Sequence, residues 1–144
     1  MKVLSTTSRE AKQNFKMLAR SFVGDRRLLH FSSGIVVCAK LALTSQEQER
    51  GLMFLESLGD NDGMLFEYKQ PGALSFWMKN TLIPLSIAFI DYSGTCTGTI
   101  VDIQNMEPNS LQLHRAPKLV RAGLEVNHGW FERQGVQVGD QINW

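Results

Sequence analysis

The chain has 144 residues, 43% of them apolar and 20% charged, with a net charge of +1, which is one domain's length and an ordinary globular balance. It has no run of about eighteen apolar residues to span a membrane, and its start lacks the apolar stretch of a secretory signal, so the expectation is a soluble, cytoplasmic single domain. Two cysteines, Cys38 and Cys96, are too few for a disulfide framework and have no metal-ligand spacing; both are expected as reduced thiols packed in strands, with no cofactor and no metal.

The charge is uneven. Residues 1–30 carry seven basic side chains against two acidic ones, and residues 31–144 carry eight against twelve. Thr7-Ser8-Arg9-Glu10 fits a capping box, a hydroxyl followed three residues later by a carboxylate. Ala11, Phe15, Leu18 and Phe22 then draw one apolar stripe, and Gly24 can end the helix. Residues 1–33 therefore read as an extension with a basic amphipathic helix. Its stripe is expected to dock on the domain and its basic face to pair with the acidic remainder. Nucleic acid or an acidic partner is a candidate only through residues 1–30.

From Gly34 the pattern changes. Ile35, Val37, Ala39, Leu41 and Leu43 alternate with Val36, Cys38, Lys40 and Ala42, which predicts a strand with one strongly apolar face. Thr44-Ser45-Gln46-Glu47 is a second capping box, and the helix it opens is expected to run to about Leu58. Gly51 inside that helix costs roughly 1 kcal/mol against alanine, so something should pack closely there. Asp60-Asn61-Asp62-Gly63 makes a turn; a calcium loop would need glycine where Leu65 stands. Strands are predicted over 64–68, 73–78 and from Leu85 to a hairpin at Asp91-Tyr92-Ser93-Gly94. Further strands are predicted over 96–106 and 119–126, with a short helical piece before Gly135 and a last strand ending in Trp144. Six or seven short strands without a strand–helix rhythm predict a mainly β fold, a sandwich or partly closed barrel with short helices.

Three blocks are distinctive. The first is Glu47-Gln48-Glu49-Arg50-Gly51-Leu52-Met53-Phe54 with Gly63-Met64-Leu65-Phe66. The second is Phe76-Trp77-Met78-Lys79-Asn80-Thr81-Leu82-Ile83-Pro84-Leu85. The third is Leu124-Glu125-Val126-Asn127 with Gly129 and Gly139-Asp140. In order and wording they resemble the family known as domain of unknown function 192 (DUF192), over roughly residues 34–144. The resemblance implies a mainly β single domain of sandwich type and carries no established activity. Two positions depart from the family's usual wording: Ser86 stands where an aspartate follows Pro-Leu, and Leu55 where a basic residue follows Met-Phe.

The polar residues of these blocks are the candidate site. Trp77, Lys79 and Asn80 lie at a strand end, where an indole face beside ammonium and amide groups can form a platform for a sugar, peptide or other small molecule; alternatively they only make a turn. Glu125 stands between Leu124 and Val126 and must face opposite to both. It is expected to line a groove with Asn127 and the 77–80 group. Arg50 could clamp a carboxylate or phosphate in a bidentate fork; the favoured expectation is that it is buried and paired with Glu125 as a structural ion pair. Met53, Met64, Met78 and Met106 with His114 and His128 could in principle hold a soft metal such as copper, but the two histidines share no ligand spacing and the methionines read as core filler. No Gly-x-Ser-x-Gly elbow, phosphate loop or dinucleotide fingerprint is present. The favoured reading is a non-catalytic binding module for a small molecule, carbohydrate or peptide. Its rivals are a small hydrolase or transferase using Glu125 and Lys79 as acid and base, and an interaction protein acting through the basic N-terminal helix.

Overall fold

The computed structural model describes residues 25–144; the helix read over Thr7–Gly24 and the docking of its Phe15, Leu18 and Phe22 stripe lie outside the described residues. Seven strands close a barrel: β1 (Arg26–Phe31), β2 (Val36–Ala42), β3 (Asp62–Gly72), β5 (Leu85–Tyr92), β6 (Thr97–Met106), β8 (Val120–Asn127) and β9 (Gln141–Asn143). Their order around the wall is β1-β2-β3-β8-β5-β6-β9, and β9 returns to β1. Every pairing is antiparallel except β2 with β3, which run parallel because the segment between them crosses over the outside of the wall. The strands β4 (Ser75–Phe76) and β7 (His114–Arg115) form a separate two-stranded sheet. Two short helices, α1 (Ser45–Arg50) and α2 (Trp130–Arg133), complete the described fold. A closed wall leaves its paired strands without open edges.

Strand alternation divides the apolar residues into two cores. Val37, Ala39, Leu41, Leu65, Leu124 and Val126 point into the barrel with Leu29, Ile90 and Ile142, and Trp130 of α2 packs among them. Met64, Phe66, Ile87 and Phe89, one position out of phase, face outward. They are nevertheless buried, because Leu52, Phe76 and Met78 cover them with the excursions over 51–58 and 73–84. The outer wall of β3, β8 and β5 is thus the floor of a second layer.

Several expectations are corrected. β1 falls within the segment read as an extension, yet it is a stave of the barrel, paired with β2 and β9. The helix begun by Thr44 stops at Arg50 instead of reaching Leu58, because Gly51 takes φ 51, ψ −131, a conformation that an L side chain rarely adopts. The capping box itself forms in both directions between Thr44 and Glu47. The expected close packing at Gly51 comes from the Phe66 ring, 3.3 Å from where a Cβ would stand. Cys38 and Cys96 are unbridged, but Cys96 is exposed in the turn before β6, not packed in a strand.

Candidate functional site

Lys40, Met64, Glu125 and Ile87 are register partners on four adjacent strands and form one row across the outer wall. Leu124 and Val126 enter the barrel core, so Glu125 points out of it and under the second layer. Gly123, two residues earlier on the same face, makes room for that layer: a Cβ there would lie 3.1 Å from the Phe76 ring and 3.2 Å from Ile87 Cδ1. Phe76 rests on this gap, edge-on to Phe66 at 4.9 Å. The result is a cavity of about 270 Å³ between wall and cover, with Glu125 among its lining residues.

Glu125 is only 4% exposed, and among the described residues its carboxyl has neither a hydrogen bond nor an ion pair. Burial pushes its pKa up to about 8, because desolvation disfavours the charged form. The Tyr68 phenol, also on the cavity wall, is raised by its own burial and then by the Glu125 charge. The sequence reading missed Tyr68 as a lining residue; its signal is the outward phase it shares with Met64 and Phe66 on β3. Lys40, two strands from Glu125 in the same row, lines a neighbouring hollow with Arg50, Gly51 and Met64 and not this cavity. Burial, with Arg26 and Arg50 nearby, lowers its pKa to about 7, and a lysine inside a strand with two apolar faces is the sequence signal for that burial.

Arg50 and Lys79 line the mouth. Each is held over an aromatic ring: the Arg50 guanidinium lies 5.7 Å from the Phe54 ring centroid and the Lys79 ammonium 5.4 Å from that of Trp77. The two turns carrying these residues are tied together, with the Phe54 N–H donating to the Asn80 carbonyl at 2.9 Å. Phe54 and Asn80 both have positive φ, 67° and 55°. Asparagine tolerates that region, whereas a bulky aromatic residue is strained in it. A shallower basin of about 330 Å³ continues outward past Trp77, Lys79 and Asn80.

Trp77, Lys79 and Glu125 therefore converge on one cavity. Asn80 builds its outer margin, in a turn closed by the Thr81 N–H donating to the Met78 carbonyl. Asn127 does not line the cavity; its amide donates to the carbonyls of Leu58 and Gly59 at 2.9 and 3.1 Å and fastens the 51–59 segment to the barrel. The expected Arg50–Glu125 ion pair does not form. Arg50 is exposed at the end of α1, where Gly51 turns the chain away, while Glu125 lies beneath the cover. Met64, Met78 and Met106 are buried in the outer core, and His114 Nδ1 pairs with Gln104 Oε1 at 3.1 Å. Ser86, at the position where the family's usual wording has an acid, donates to Asn105 Oδ1 and accepts the Gly129 N–H.

No helix among the described residues is long and apolar enough to cross a membrane. No curated protein matches the chain. Crystal structures that the chain resembles include a protein of unknown function from Novosphingobium aromaticivorans, 36% identical over 83% of this chain and 85% of its own with a TM-score of 0.76, and a Sinorhizobium meliloti protein described as "a putative transcription regulator", 32% identical over 87% and 96% with a TM-score of 0.74. The model of the family DUF192, described as "Uncharacterized ACR", matches residues 29–144, and the chain belongs to that family.

Proposed function

We propose that the protein is a binding module taking a small polar ligand between the barrel's outer wall and its cover, with Glu125 at the floor and Trp77, Lys79 and Arg50 at the mouth. The observation that carries this reading is the Glu125 carboxyl, nearly fully buried, without a protein partner and facing a cavity. Holding a carboxyl away from bulk water with no protein group to bond it costs stability. A ligand donating hydrogen bonds to it recovers that cost. The aromatic wall of Phe66, Phe76 and Trp77 supplies apolar contact, the usual division of labour in small-ligand sites. A thermal-shift screen with sugars, amino acids, short peptides and nucleotides tests the reading. A true ligand at about a hundred times its Kd adds about 2.7 kcal/mol of apparent stability, and Glu125→Gln should remove most of the shift. A screen in which no compound raises the midpoint defeats the proposal.

One observation favours the acid–base alternative: at neutral pH a carboxyl with a pKa of about 8 keeps its proton and can donate it as a general acid. In that reading Lys79 is the second group. Its ammonium over the Trp77 ring would have to swing inward as the substrate enters. Turnover of any ligand found in the screen, lost in Glu125→Gln while binding persists, would move the protein into this class.

A further inference from the structure

Resting on the binding reading above, we infer that the ligand is a small zwitterion, its ammonium held at Glu125 inside the aromatic walls and its carboxylate held at the mouth by Arg50 and Lys79. The cavity is polarised along its depth. Its one buried acid is at the floor. Its two cations are at the mouth, each already placed over a ring. Glu49 also lines the cavity and is exposed, where solvent screens it. Phe66, Tyr68 and Phe76 present aromatic surface between floor and mouth, and ring faces attract ammonium groups.

The other simple chemistries each leave part of this arrangement unused or opposed. A plain carboxylate seated deep has only the protonated Glu125 carboxyl to bond it, carries its own charge into a buried site, and leaves both cations behind at the mouth. A plain amine enters past two positive charges with no anion to offset them. A neutral sugar satisfies Glu125 and leaves both cations idle. Only a molecule carrying both charges matches floor and mouth together, and a cavity of about 270 Å³ is at the small end of ligand sites. Protonation balances simply. The Glu125 carboxyl, protonated when empty at neutral pH, gives its proton to the buffer as the incoming ammonium ion pairs with the carboxylate left behind.

The test is isothermal titration calorimetry on the full chain. The probes are glycine, γ-aminobutyrate and ε-aminohexanoate, with butylamine, butyrate and glucose as controls. Each is run near pH 7 in two buffers of different ionisation enthalpy. One amino acid of the series should bind at least about tenfold tighter than butylamine and butyrate, a difference of about 1.4 kcal/mol, and release about one proton. Glu125→Gln should abolish both the binding and the proton release. The double variant Arg50→Ala, Lys79→Ala changes only exposed side chains and should abolish the preference for the amino acid over butylamine, with butylamine itself binding no more weakly once the two opposing charges are gone. Butyrate matching the best amino acid, binding without proton release, or no binding by any amine overturns the inference. Glucose binding that is lost in Glu125→Gln, without a proton released, would overturn the zwitterion and keep the pocket. Silence from these probes and from the wider screen would remove both.

Discussion

Glu67 and Glu125 are carboxylates on neighbouring strands of one barrel wall, and they are treated in opposite ways. Glu67 continues the inward row of Leu65 to one end of the barrel, where Arg27 and Tyr92 continue the rows of Leu29 and Ile90. Arg27 Nη1 donates to both of its oxygens, at 3.1 and 3.3 Å, and the Tyr92 hydroxyl donates to it as well. Burial, and then the bond to Glu67, raise the Tyr92 pKa, so that phenol stays a donor across the ordinary pH range. Glu125 is more deeply buried and has no such partners. A carboxylate with its partners built in closes the barrel end and is finished by folding. One left without partners beneath a cover is a cost that folding alone does not explain, and it is the cost that the proposed ligand would offset.

The largest expected effect concerns pH. The Glu125 pKa is raised from 4.5 to about 8 in the folded chain. Between those values the unfolded chain has released this proton and the native chain retains it, so stability falls as pH rises through the window, by about 1.4 kcal/mol for each pH unit. The contribution is fully present below the unfolded value and lost above the folded one. Lys40, lowered to about 7, titrates with the opposite slope only above that pH, so the lower part of the window isolates Glu125. Urea denaturation at a series of pH values should show the wild type losing stability relative to Glu125→Gln by several kcal/mol. Parallel curves would place Glu125 in water or against a hidden partner.

Removing Glu67 should do the reverse. Glu67→Ala strands the Arg27 guanidinium and the Tyr92 hydroxyl, and the expected loss is about 2 kcal/mol, reduced from that of a dry pair because both charges are partly exposed. Denaturant midpoints at neutral pH decide it. A loss in Glu125→Gln as large as in Glu67→Ala would erase the contrast between the two carboxylates.

Smaller effects sharpen the contrast through the cover. Gly123→Ala places a methyl against Phe76 and Ile87 at about the tightest spacing real Cβ atoms show. It should cost about 1–2 kcal/mol and, unlike Glu67→Ala, weaken ligand binding by displacing Phe76. Thr44→Ala removes the hydroxyl that caps α1 and should cost about 1 kcal/mol. Because Gln48 of the same helix donates to the Ala42 and Glu67 carbonyls, loosening α1 should also disturb Arg50 at the mouth. A variant with unchanged affinity would show that α1 does not position Arg50.

What the sequence made legible follows from period two. A strand with Leu124 and Val126 in the core must send Glu125 the other way, and the alternation of Phe76 and Met78 against Trp77 holds in the structure although only Ser75–Phe76 pairs as a strand. Period two does not say whether the outward face meets water or a second layer, so it gives the outward phase of Glu125 and Tyr68 but not their burial under a cover. Nor does it say how far apart two charged groups end up, which is why an Arg50–Glu125 pair was a reasonable and mistaken expectation. β1 was hidden by composition: Arg26-Arg27-Leu28-Leu29-His30-Phe31 looks like a basic tail, although Leu29 and Phe31 enter the core while Leu28 is exposed.

The smallest effect bears on the residue whose role the sequence left most open. Asn80 could contact a ligand through its amide or simply make the turn. Its φ of 55° is the left-handed region, which glycine and asparagine occupy with least strain. Its carbonyl accepts the Phe54 N–H that joins the two halves of the mouth. Those are backbone duties, which glycine performs equally well. Asn80→Gly should therefore change stability by only a few tenths of a kcal/mol and leave ligand affinity within about twofold. Asn80→Val, β-branched and strained at this φ, should cost roughly 1–2 kcal/mol and weaken binding by loosening the mouth. A Gly variant that folds normally but loses the ligand would return the Asn80 amide to the binding surface. It would then extend the site from the Glu125 cavity into the outer basin.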